Sequence, residues 1–239
     1  MRYQAILFDL DGTLLPMHEP TFVKYFYSAL VDYLTPSGRY SPQEVGEILK
    51  GSLQYVVCND GHCTNRRAFI DFYDQYNRRT GVCVNIEDIE AFYANAFDEQ
   101  VRPSCGYDSD ASVIVDFIKQ NNVPMVVATN PFFPRVATEI RLSWAGLDCN
   151  DFVEITTYEN YHYCKPNLDY YREVFARTGF DPAQCLMVGN NTTEDMIARQ
   201  LGCDVFLITR NLINSIDEDI SLYPHGTFED LISFLQNCK

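Results

Sequence analysis

The chain opens with a four-residue apolar run, Ala5–Phe8, that stops abruptly at Asp9. Unbroken apolar runs of this length read as strands covered on both faces, as in parallel sheets. Similar runs recur at Met125–Ala128, Cys185–Val188 and Val205–Ile208. Apolar positions at helical spacing lie at Asp110–Gln120, Arg135–Trp144, Leu168–Arg177, Glu194–Leu201 and Phe228–Leu235. Strands alternating with helices predict an α/β core built on a parallel sheet. Residues 16–101 break the alternation: they hold helical patterns and no convincing strand. Phe22, Phe26, Leu30 and Leu34 line one face, and Phe69, Phe72, Tyr73 and Tyr76 another. Ile89, Phe92, Tyr93, Ala96 and Phe97 line a further one. Ser41-Pro42-Gln43-Glu44 is a capping box with proline at the first helical position, so a helix starts there. The expected organisation is a core of residues 1–15 and 102–239, interrupted after its first strand by an all-helical insert over 16–101.

Charge narrows the partners. Eighteen Lys+Arg against 33 Asp+Glu give a net charge of −15. A field of that sign argues against nucleic acid and against anionic membrane surfaces as partners. No apolar run approaches the ~18 residues of a membrane span, and the N-terminus does not read as a signal peptide. Nine cysteines, none in a C-x-x-C pair, read as reduced thiols, so a cytoplasmic location is expected. The overlapping sequons in Asn190-Asn191-Thr192-Thr193 are read as chance occurrences.

Four features stand at predicted strand ends, where open parallel sheets bind their ligands. Asp9-Leu10-Asp11-Gly12-Thr13 sets two carboxylates two residues apart before a glycine that permits a sharp turn. One carboxylate can attack phosphorus, and the other can protonate a leaving oxygen and later deprotonate water. A calcium loop competes poorly, because an EF-hand needs its glycine at position six. Thr129-Asn130 follows the second run and can offer a hydroxyl and backbone N–H groups to a phosphoryl oxygen. Lys165-Pro166 supplies a point charge ahead of a helix. Gly189-Asn190-Asn191-Thr192-Thr193-Glu194-Asp195 brings acids that can complete an oxygen-rich Mg2+ site with Asp9.

In order and spacing these motifs resemble the haloacid dehalogenase-like hydrolase superfamily, in its branch with a helical cap inserted after the first motif. The resemblance covers essentially the whole chain. It implies a Rossmann-like parallel sheet with helices on both faces and an all-α cap over the site. It makes Asp9 the nucleophile and a metal ligand, and Asp11 the general acid/base with its main-chain carbonyl on Mg2+. It has Thr129 and the Asn130 amide bind the phosphoryl group, with the backbone of Leu10 and Gly12 beside it. Lys165 would neutralise charge, and Asp195 would anchor Mg2+. The second acid, Asp11, looks like the phosphotransfer members; dehalogenases lack it and need no metal. The family usually carries Gly-Asp where this chain has Gly189-Asn190. Asn190 is therefore expected near the metal as a neutral ligand or through water.

Caps in this superfamily select the leaving group. Arg66, Arg67, Arg78 and Arg79 against Asp71 and Asp74 make residues 66–79 the one basic stretch of the insert. Arg66 and Arg67 are candidate contacts for an anionic substrate; the plainer account is i,i+4 pairing, as in Arg67–Asp71. The polar loop Cys58–Cys63, with His62, is a candidate to dip into the site, and its spacing suits zinc poorly. His18, just past the hinge, is a candidate cleft residue, although a lone histidine there is more often structural. The expected function is a Mg2+-dependent phosphatase of a small phosphorylated metabolite, acting through an aspartyl-phosphate. The alternatives are a phosphomutase on the same scaffold and a weakly active phosphate-binding regulator, the latter suggested by Asn190. The substrate and the oligomeric state are not legible in the sequence.

Overall fold

The computed structural model describes residues 2–237. Its strands are β1 (Ala5–Phe8), β2 (Met125–Val127), β3 (Glu154–Ile155), β4 (Cys185–Gly189), β5 (Asp204–Ile208) and β6 (His225–Gly226). They form one sheet in the order β3-β2-β1-β4-β5-β6, and each neighbouring pair is parallel. β1 lies in the middle, with Phe8 opposite Val127 of β2 and Val188 of β4. The chain leaves β1 for β2 on one side and returns through β4 on the other. That reversal opens a crevice beyond the carboxyl ends of the three strands.

Alternate strand residues point to opposite faces, and both faces are buried. Ile6, Phe8, Val127, Leu186 and Val188 pack with α6 (Ser109–Gln120), α7 (Arg135–Trp144) and α9 (Phe228–Asn237). Ala5, Leu7, Val126, Cys185 and Met187 pack with α8 (Leu168–Thr178) through Tyr170, Tyr171, Val174 and Phe175. This two-sided burial is why the strands read as unbroken apolar runs. β3 and β6 escape sequence reading because two residues carry no periodicity. The helix expected from Glu194 is a turn followed by a 3-10 helix, Met196–Leu201. Asn191 Oδ1 accepts from the Thr193 and Glu194 N–H groups at 2.9 and 3.1 Å, so a side chain tightens this turn. Pro166 lies ahead of α8 and outside it, where Asn167 caps the Asp169 N–H.

Between Leu15 and Ser104 the described residues form helices and no named strand: α1 (Glu19–Leu34), α2 (Pro42–Val57), α3 (Asn65–Thr80), α4 (Ile86–Asn95) and α5 (Phe97–Val101). Ser41 and Glu44 form the reciprocal capping box, Thr64 caps the Arg67 N–H, and Asn85 caps the Asp88 N–H. The fourth helical pattern breaks at Ala96 (φ −131°, ψ −24°), which separates α4 from α5. Phe26 sits edge-on to Phe92, Phe97 and Phe133, at 5.7, 6.2 and 5.8 Å between ring centroids. Phe97 stacks on Trp144 at 5.1 Å, and Trp144 Nε1 donates to Asp98 at 2.6 Å. The insert is thus seated on the end of α7 by aromatic side chains, each worth roughly 1.5–3 kcal/mol of burial. No helix among the described residues is long and apolar enough to cross a membrane.

Candidate active site

The end of β1 turns sharply through Asp9–Thr13. The Thr13 and Leu15 N–H groups both donate to the Leu10 carbonyl, and the Gly12 N–H donates to Leu15. Gly12 has φ +86°, and a Cβ there would stand 2.4 Å from Asn190 Nδ2. Conformation and close approach therefore both require glycine. The turn sends the Asp9 side chain into the crevice, where it is 6% exposed.

Lys165 organises the centre. Its ammonium lies 2.8 Å from Asp9 Oδ1 and 2.7 Å from Asp195 Oδ1, and is itself buried. Burial alone would push this lysine down, but the charges of Asp195 and Asp9 outweigh it and hold the pKa well above the usual range. Asp195 also accepts the Asn191 N–H at 3.0 Å. It fits beneath the strand end because residue 189 is glycine: a Cβ there would lie 2.2 Å from the Asp195 carboxyl. Asn130 ties three loops together. Its Nδ2 donates to Glu194 at 2.8 Å, and its Oδ1 accepts the Lys165 N–H at 2.8 Å. Tyr170 and Thr156 donate to the Thr129 carbonyl at 2.9 and 2.6 Å, which fixes that backbone and leaves the Thr129 side chain lining the cavity.

Asp11 is paired with Arg141 of α7 through Oδ2. Arg141 is completely buried, lies 4.3 Å over the Phe133 ring and bonds Thr138 Oγ1 at 3.3 Å. Burial pushes the Asp11 carboxyl up, Arg141 pulls it back, and the Asp9 charge pushes it up again; the net direction is up. Asp11 Oδ1 is buried with no hydrogen-bond partner. Burial also raises Glu194 to about 7. Asp195 is raised to about 6 by burial and by the Asp9 charge, against the pull of Lys165. Four carboxylates thus crowd two buried cations, and the main-chain N–H groups of Leu10, Asp11 and Asn130 take no partner among the described residues. Surplus buried negative charge, an orphaned carboxylate oxygen and an all-oxygen donor set fit a hard divalent cation.

The other expected contacts lie elsewhere. Gly12 spends its amide on Leu15, so the donors open to a ligand in this turn are those of Leu10 and Asp11. Asn190 lines the cavity, but both its polar ends are used: Oδ1 faces Thr13 Oγ1 at 3.0 Å, and Nδ2 donates to the Asn211 carbonyl at 2.6 Å. It braces the turn after β1 to the loop after β5, a task for an amide that a carboxylate could not perform. Arg66 makes a two-point pair with Glu90 at 2.8 and 3.2 Å, and Arg67 pairs with Asp71 along α3 at 2.6 Å. His62 is exposed beside Asp60, and His18 is exposed against Thr21 at 2.8 Å. None of these four lines the cavity. The Cys58–Cys63 loop is pinned away from it by Asn59, whose Nδ2 donates to the His162 carbonyl at 2.7 Å. Arg141 was missed by sequence reasoning. Its one signal is a charge on the stripe of α7 that otherwise buries Ala137, Leu142 and Trp144.

The class this fold and site define is that of the haloacid dehalogenase-like hydrolases. The model of that family matches residues 3–202, and the chain belongs to it. The pyrophosphatase PpaX of Bacillus velezensis is 22% identical over 201 residues, covering 84% of this chain and 81% of that protein. A predicted phosphoglycolate phosphatase of Haemophilus somnus superposes with a TM-score of 0.61 at 20% identity, over 99% of both chains. The HAD-hydrolase YfnB of Bacillus subtilis, solved bound to magnesium, gives 0.57 at 17% identity, over 98% of this chain and 99% of that one. At these identities the solved structures establish the shared fold.

Proposed function

We propose that this chain is a Mg2+-dependent phosphatase that hydrolyses a small phosphorylated metabolite through an aspartyl-phosphate on Asp9. The observation that carries the reading is a second carboxylate, Asp11, two residues beyond Asp9 and held by a buried arginine. Displacement of halide from carbon needs no such acid; expulsion of an alkoxide from phosphorus does. An Asp9 oxygen attacks phosphorus in line while the bond to the leaving oxygen breaks, and Asp11, entering protonated, gives that oxygen its proton. Water then attacks the phosphoryl group, Asp11 takes the water proton, and the Asp9–phosphorus bond breaks to release phosphate. Lys165 holds the Asp9 carboxylate in place, and the free amides of Leu10, Asp11 and Asn130 with the Thr129 hydroxyl are the donors for the phosphoryl oxygens. Mg2+ would be held by the Asp9 and Asp195 side chains and the Asp11 main-chain carbonyl, and supplies positive charge for the phosphoryl oxygens. We take residues 16–101 as the cap that covers this site. The free described cysteines fit a cytoplasmic location.

The curated relative named as a pyrophosphatase supports phosphoryl chemistry. The test is phosphate release from p-nitrophenyl phosphate, with Mg2+ and with chelator, by the wild type and by Asp9→Asn. Metal-dependent release that disappears in Asp9→Asn, with a cooperative melting transition retained, is expected. Wild-type turnover in the variant refutes the mechanism.

A further inference from the structure

The crevice does not end at the carboxylates. It continues between the cap helices as a cavity of about 370 Å³. Beyond the catalytic loops its wall is apolar and aromatic: Phe22, Phe26, Ile48, Phe69, Ile89 and Tyr93 are representative. Val23 and Val57, about half exposed at 49% and 51%, also line it, so the apolar character reaches a solvent-facing part of the wall. Every charged residue in the lining is an acid: Asp9, Asp11, Glu19, Glu194 and Asp195. Lys165 and Arg141 are spent on those acids, and Arg66 and Arg67 are paired outside. The uncharged residues with a polar group that the cap contributes to the lining are Ser52, Gln54, Tyr73 and Tyr93.

From this wall, and resting on the phosphatase reading above, we propose that the substrate is a monophosphate ester whose leaving group is uncharged and apolar, about the size of one six-membered ring. The phosphoryl end meets the polar donors at the strand ends. The remainder of the molecule enters a wall that rewards removal of apolar surface from water and offers no cation to a second anion. Size follows from the volume: about 370 Å³ stands at the small end of ligand pockets, which run from about 300 to 1,000 Å³. The phosphoryl group takes part of that space, leaving room for a small leaving group such as a single ring. A carboxylate or second phosphate on the leaving group would be buried beside apolar side chains or face Glu19. Inorganic pyrophosphate and phosphoglycolate are therefore poor substrates for this chain.

The experiment compares alkyl esters, so that leaving-group basicity is nearly constant: ethyl, 3-methylbutyl and benzyl phosphate, with phosphoglycolate and pyrophosphate alongside. kcat/KM is measured with Mg2+ on the full chain, and benzylphosphonate and methylphosphonate binding is measured by calorimetry. The expected result is a rise from ethyl to benzyl of about 10- to 100-fold, with the two acidic substrates at or below ethyl phosphate. Benzylphosphonate should bind at least about tenfold tighter than methylphosphonate. Leu53 lines the cavity at a half-buried position, and Leu53→Arg should erase most of the benzyl preference and raise turnover of phosphoglycolate. A flat series, or a preference for phosphoglycolate or pyrophosphate while p-nitrophenyl phosphate is still hydrolysed, overturns the apolar leaving group alone. No turnover of any ester, with the phosphonate preference intact, refutes the phosphatase and leaves the cavity's chemistry standing. No turnover and no preference overturn both.

Discussion

Replacing Lys165 by methionine keeps the length of the side chain and removes its charge. In the wild type that charge sits 2.8 Å from Asp9 and 2.7 Å from Asp195, with both carboxylates buried. In Lys165→Met two buried carboxylates face each other with no cation between them. Removing one partner of a buried ion pair costs about 3–5 kcal/mol. At about 2–4 °C per kcal/mol for a chain of this size, the melting temperature should fall by roughly 6–20 °C. The deficit must depend on pH. Asp195 already titrates near 6 because burial and the Asp9 charge disfavour its ionised form. Without the ammonium its folded pKa rises further, so the folded variant holds a proton that the unfolded chain releases above its ordinary value of 3.8. The variant therefore loses stability as pH rises through that window, and its deficit is smallest in acid. Thermal unfolding of both proteins, in chelator, at about pH 5 and about pH 8, measures this. A deficit below about 1 kcal/mol at the higher pH, or one that grows in acid, would refute the buried-triad reasoning.

Further outcomes are expected. In metal-free wild type, Glu194 at about 7 and Asp195 at about 6 sit above their ordinary values, so the fold binds more protons than the unfolded chain and stability falls as pH rises across this range. Mg2+ binding near neutral pH should release protons, seen as a calorimetric heat that varies with the buffer's ionisation enthalpy; a buffer-independent heat counts against it. In Gly189→Ala the new Cβ would lie 2.2 Å from the Asp195 carboxyl, which must move; about 1–3 kcal/mol of stability and most of the Mg2+ affinity should go with it. Unchanged Mg2+ affinity there would show that Asp195 is not a ligand. Arg141→Met removes the main pull against burial of Asp11, so the limb of the pH–kcat profile set by Asp11 moves to higher pH as kcat falls; an unmoved profile assigns Arg141 to packing alone.

Much of the architecture was legible because burial leaves a periodic mark. Four of the six strands are continuous apolar runs, since both faces of the sheet are covered, and α2 carries its capping box in plain residue types. The chemistry at strand ends was legible for a related reason: Asp9, Asp11, Thr129, Lys165 and Asp195 each follow such a run or open the next segment. Two-residue strands and the turn at Asn191–Asp195 were not, because two residues show no period and side chains there take over the helix N–H groups.

Sequence by itself determined the order of the four longer strands, the helical stretch between β1 and β2, and the residue types able to handle a phosphoryl group. Only the tertiary structure decided how those residues divide their contacts. It gave both ends of Asn190 to a brace, spent Arg66 and Arg67 on Glu90 and Asp71, and brought Arg141 from a distant helix onto Asp11. It also made the wall above the site apolar. The physical reason is that periodicity along the chain records whether a position is buried. The partner against which a charge or an aromatic ring is buried is set by packing between segments far apart in sequence.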